Sequence, residues 1–173
     1  MCAFPLHLWA LILAFQDVAW VTERTNAWDA VGVVSYALLF ALIETVLVFL
    51  TFTALGLLIP RQWKPNKRIG FLILLVILLS VWGIFSQLLF LWHINLPEPA
   101  VQFLAHSGRP LRYLYAGTLA IVIPTIVLPV YFFLKSDRML ARIENLADRL
   151  SLLTGFYLFF DVIGIIIVII RNL

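Results

Sequence analysis

Long apolar runs broken by short polar turns set the pattern of this chain. Four runs, at about 30–59, 69–92, 111–134 and 150–170, are each long enough to cross a hydrocarbon layer, which takes roughly 20 helical residues. Their limits are chemically marked. Pro60 ends the first, and Arg61, Trp63, Lys64, Lys67 and Arg68 make a basic, aromatic-containing turn suited to lipid headgroups. Pro97, Pro99 and Pro110, with Ser107 and Gly108, mark a loop after the second run, within which 100–106 is predicted as a short helix. An earlier apolar segment, about 4–21, is near the lower length for a span and contains His7, Gln16 and Asp17. It has no wide polar face, and Pro5 suits a first helical turn, so a crossing or deeply inserted helix is expected. No Lys or Arg precedes it, and the residues from Gln16 to Trp20 do not resemble a signal cleavage site, so it is expected to be retained.

Between the last two runs, Met139, Ile143, Leu146 and Leu150 recur at helical spacing while Arg138, Arg142 and Arg149 lie elsewhere on the wheel. The segment 136–149 is therefore predicted as an amphipathic helix, lying on the membrane surface or extending the final span, with Ser136 or Asp137 as its cap. The fold class is all-α: a polytopic transmembrane helical bundle of four spans plus a membrane-inserted N-terminal helix, forming one integral membrane domain over residues 1–173. No internal repeat, low-complexity tract or N-glycosylation sequon interrupts it.

Composition strengthens this picture. Apolar residues make up 64% of the chain and charged residues 12%, against about 25% charged in soluble domains. The mean hydropathy is +1.06. A water-soluble core of that composition would lack the polar residues to cover it. The net charge of +3 does not point to nucleic acid, because the basic residues cluster between apolar runs as topology demands. Four fall in 60–68 and four in 135–149, against Arg24, Arg109, Arg112 and Arg171 elsewhere. The two richer loops are thus expected in the cytoplasm, with the C-terminus on the opposite side of a cell membrane. With the single cysteine Cys2 there is no intramolecular disulfide or CxxC pair, and no lipidation motif surrounds it.

Candidate chemistry rests on polar groups within apolar runs. Glu44 and Asp161 each lie near the middle of a run, where an ionised side chain costs roughly 2.5–3.5 kcal/mol on insertion scales, so each must be protonated, paired or hydrated. Thr154, Tyr157, Asp161 and Gly164 share one helical face, as do Ser80, Gly83 and Gln87, with Ser86 and His93 on an adjoining stripe. Glu44, Gln87, Tyr157 and Asp161 are accordingly the candidate ligand- or proton-binding residues, expected to converge on an interior cavity; the competing reading makes them hydrogen-bonded glue between helices. Pro124 and Pro129 fall inside the third run, with Thr125 placed to satisfy a freed carbonyl. Trp28, Trp63, Trp92, Tyr113 and Tyr115 suit interfacial belts, and Trp82 lies deeper.

Enzymatic chemistry finds little support. His7, His93 and His106 lie in three different segments, and HExxH, GxSxG and phosphate-loop patterns are absent. Ser86 and His93 are seven residues apart, about 10 Å along one helix, too far for a dyad. The leading expectation is a small transport-type or membrane-complex subunit with buried carboxyls. A purely structural accessory subunit is the alternative, and an intramembrane lipid-modifying enzyme ranks last. Expected partners are the lipid bilayer and membrane subunits or further copies of the chain; no cofactor, metal or nucleic acid is called for.

Overall fold

The computed structural model describes residues 1–91 and 96–173. The chain is 90% helix, with no strand among the described residues. Six helices follow in order: α1 Ala3–Arg24, α2 Ala27–Leu58, α3 Pro65–Leu91, α4 Glu98–His106, α5 Pro110–Lys135 and α6 Asp137–Asn172. All except α4 are long and apolar enough to cross a membrane. The expected end of the second run at Trp92, together with His93, lies outside the described residues.

The element boundaries follow from local chemistry. The Asn26 side chain caps α2 by accepting from the Asp29 amide at 2.9 Å, and Asp29 in the first turn suits the positive end of the helix. Ile59, preceding Pro60, is extended (φ −72°, ψ 135°), as the proline ring requires of its predecessor. Prolines at the first or second positions open α3, α4 and α5, where a missing amide costs nothing. Ser136 holds the N-cap position of α6 without a side-chain cap bond; its carbonyl instead receives the Met139 and Leu140 amides.

α2 is the central helix. α1 folds back antiparallel to it through the tight turn at Thr25 and Asn26, and α6 also runs antiparallel, bringing Arg171 to Trp28 and Asp29 and Gly164 to Ser35 and Leu38. A Cβ at Gly164 would lie 3.3 Å from the Ser35 carbonyl oxygen, so the absent side chain is what permits this close crossing. At the opposite end of the bundle, Leu74, Phe133 and Ile143 form a buried cluster joining α3, α5 and α6.

The amphipathic segment and the last run are one continuous 36-residue helix. Ile143, Ala147, Leu150, Thr154, Tyr157, Asp161 and Gly164, stepping by four and three, are buried or half-buried and form its inner stripe, the spacing that keeps one seam facing a neighbour. Leu146, expected on that face, is 41% exposed; Ala147 takes the inward position because the stripe continues in phase with the polar residues beyond it. The apolar face of 136–149 is therefore covered by α3 and α5.

Two of the four basic residues in 60–68 act within the protein. Arg68 Nη2 donates to the Gly56 carbonyl at 2.8 Å, and Lys67 Nζ donates to the Leu134 carbonyl at 3.2 Å, closing the C-terminal ends of α2 and α5 where carbonyls lack helical partners. Arg61 and Lys64 remain exposed. α5 runs unbroken through Pro124 and Pro129. The Thr125 hydroxyl bonds the Ile121 and Val122 carbonyls, not the Ala120 carbonyl that Pro124 leaves free, and it accepts from Trp82 Nε1 at 3.0 Å. Trp82 is thus a link between α3 and α5.

Candidate functional site

Asp161 is buried at 1% exposure and His7 at 0%. The imidazole Nε2 of His7 lies 2.9 and 3.0 Å from the two carboxyl oxygens of Asp161, and Nδ1 lies 2.8 Å from the Ala3 carbonyl oxygen one turn back in α1. A carbonyl only accepts, so Nδ1 carries a hydrogen. One further proton is shared between Nε2 and Asp161, and the same heavy-atom geometry serves an imidazolium–carboxylate pair or a neutral imidazole with a carboxylic acid. Either form is net neutral, which lets the pair stand in low dielectric where one lone charge would not.

Three other groups complete this cluster. The Tyr157 ring stacks on the His7 imidazole at 5.2 Å between centroids with a 23° tilt. Phe4 packs against Tyr157 at 6.4 Å. Thr45 Oγ1 stands 3.5 Å from His7 Nδ1. α1, α2 and α6 therefore meet around one sealed polar contact. Among the described residues no buried side-chain nitrogen or oxygen lacks a hydrogen-bond partner.

Glu44 and Gln87 belong to a different place. Both line a cavity of about 600 Å³ enclosed by α1, α2 and α3 and open on one side. Its walls are mostly apolar and aromatic, including Leu13, Phe40, Phe52 and Val76. The polar groups on it are Asp17, Glu44, Ser80, Gln87 and the indole of Trp9, whose Nε1 donates to Gln87 Oε1. Each wall is a stripe at three-and-four spacing: Trp9, Leu13 and Asp17 on α1; Phe40, Glu44 and Val48 on α2; Ser80, Gly83 and Gln87 on α3. Glu44, expected to be buried, is instead exposed on this open cavity and enters no salt bridge or side-chain hydrogen bond among the described residues.

The four candidate residues thus divide into two pairs. Gln87 and Glu44 share the cavity, while Tyr157 and Asp161 lie in the sealed contact with His7, outside its lining. Helix rotation explains the split. Glu44 and Thr45 are neighbours in sequence, so their side chains leave α2 about 100° apart, one into the cavity and the other toward His7. His7 is the participant that sequence reasoning passed over. Its signal was present: a mid-run aspartate requires a proton or a partner, and His7 is the histidine that falls inside an apolar run, near the start of 4–21.

Comparison with known protein families, with curated proteins and with solved structures finds no match. No group of three or more His, Cys, Asp or Glu side chains among the described residues is arranged to hold a metal ion. His7 and Asp161 are already saturated by each other and Ala3. Glu44, like Asp17 on the same lining, has no salt-bridge or side-chain hydrogen-bond partner among the described residues, and the cavity beside it has the size of a small-molecule site.

Proposed function

We propose that this chain is a five-span integral membrane protein of transport type, holding a small ligand in the cavity between α1, α2 and α3. The observation that carries this reading is the unpartnered Glu44 carboxyl on the wall of that cavity, midway along a helix flanked by apolar turns. Large side chains such as Leu57, Leu58, Leu119 and Phe159 are exposed on the bundle's outside, at 54–80%. Lipid contact accounts for this exposure where water would not. α2, at 32 residues, is about 48 Å long, enough for a hydrocarbon core of roughly 30 Å with its ends among headgroups. The basic turn 60–68 and the start of α6 lie at one end of the bundle and are assigned to the cytoplasm of a cell membrane; the C-terminus lies at the other.

The test is flux in reconstituted vesicles, using an entrapped pH dye for protons and labelled methylammonium as a small cation. Wild-type protein should raise one of these fluxes above protein-free vesicles, and Glu44→Gln should remove the increase with helicity and melting intact. Equal flux with and without protein would overturn the transport reading.

A specific observation favours a second reading, an accessory subunit of a membrane complex or homo-oligomer. The first half of α5, 110–121, is exposed at every position, leaving apolar residues such as Leu111, Leu119 and Ile121 for lipid or a neighbouring membrane helix. In that case Glu44→Gln changes no flux, and the chain purifies from native membranes with a partner or as a defined oligomer.

A further inference from the structure

Among the described residues, the lining of the α1–α2–α3 cavity carries two carboxyls, Asp17 and Glu44, and no Lys, Arg or His. Around these acids stand the indole of Trp9 and the rings of Phe40 and Phe52. Asp17 lies ten residues along α1 from His7, which Thr45 beside Glu44 approaches to 3.5 Å, so the two acids stand at levels about 15 Å of helix rise apart. Two acids with no basic side chain beside them among the described residues, in aromatic surroundings, suit a molecule that brings its own positive charge. A carboxylate of low dielectric gains most from a cation that also buries apolar area, and an indole face adds attraction to an onium group. An anion would face both acids and find among the described lining residues only hydroxyl, amide and indole donors, the indole already given to Gln87.

Resting on the reading of this cavity as a ligand site, we propose that it binds an organic cation with an apolar body, the cationic group on Glu44 and the apolar part against Trp9, Phe40 and Phe52. Asp17, exposed near the opposite end of the cavity wall, supplies a preceding station for the same charge. Gln87 is engaged by Trp9, and this bond holds the indole across the gap between α1 and α3. Gly83 leaves room in the third wall, because a Cβ there would meet nothing within 4 Å.

The test compares three probes of similar size on the full-length protein in zwitterionic lipid nanodiscs, with empty nanodiscs subtracted: tetraphenylphosphonium, tetraphenylborate and neutral triphenylphosphine. Saturable binding of tetraphenylphosphonium is expected, weakened about tenfold or more by Glu44→Gln and abolished by Gly83→Phe, which fills the cavity from open space. Glu144→Gln, a carboxyl change outside the lining, should leave it unchanged. If Glu44→Gln binds the cation as well as wild type, or if the neutral or anionic probe binds equally tightly, the cation inference is overturned while the ligand site stands. If none of the three binds saturably, the ligand-site reading falls with it.

Discussion

His7 of α1 and Asp161 of α6 hold each other through one imidazole nitrogen, 2.9 and 3.0 Å from the two carboxyl oxygens, with both side chains sealed from the surroundings. The contact links residues 154 positions apart and fixes α1 against the bundle at a level where apolar packing alone would permit sliding.

Removing one partner should therefore cost more than removing both. His7→Leu or Asp161→Asn is expected to lower stability by about 3–5 kcal/mol if the pair is ionic, and by about 1–2 kcal/mol if it is a neutral hydrogen bond. The double variant His7→Leu/Asp161→Leu should recover part of the loss. A double-mutant cycle of unfolding in mild detergent reads the coupling, and additive losses would show that the two groups do not act as a pair.

Gly164 should tolerate little. Gly164→Ala places a methyl 3.3 Å from the Ser35 carbonyl oxygen, and a shift of a few tenths of an ångström relieves it at a loss under about 1 kcal/mol. Gly164→Leu forces α2 and α6 apart and is expected to cost about 1–3 kcal/mol or more. Thermal melting of the two variants should show that order.

The opposite end of the same interface is wetter and weaker. Arg171 Nη2 donates to Asp29 Oδ1 at 2.8 Å, and Arg171 Nη1 donates to the Trp28 carbonyl. The ion pair is partly exposed, at 21% and 35% of the two side chains. Asp29→Asn should lower the melting temperature only slightly, and raising the salt concentration should shrink the difference. Asn26→Ala, which removes the α2 cap, is expected to cost about 1 kcal/mol independently of salt.

Thr125→Val removes the acceptor of Trp82 Nε1 and with it the hydrogen bond between α3 and α5. The expected loss is about 0.6 kcal/mol. Tryptophan emission should change while helicity does not. A shift in neither emission nor melting would show that the bond contributes nothing.

Topology can be checked with the chain's own cysteine economy. In a Cys2→Ser background, Lys64→Cys and Asn172→Cys should react with an impermeant maleimide from opposite sides of the membrane, Lys64→Cys from the cytoplasmic side. Labelling of both from one side would overturn the assigned arrangement.

The helices were legible because each depends on local pattern. A run of apolar residues bounded by proline or a basic turn specifies a helix and its limits without reference to the rest of the chain, and the steps from Thr154 to Gly164 announced the inner face of α6. Ile143 and Leu150 were legible in the same way. The continuity that replaces Leu146 by Ala147 was not, because an amphipathic segment and a span read separately can each be placed in a different phase.

What the sequence determined by itself was the all-helical class, the apolar lengths of the helices, the breaks between them, and the presence of Glu44 and Asp161 within apolar runs. Which groups those carboxyls meet was decided only by the tertiary structure. Side-chain direction turns by 100° per residue and neighbouring helices choose which directions are covered, so adjacent Glu44 and Thr45 part company. Asp161 finds a histidine from the other end of the chain, and Glu44 is left facing an open cavity.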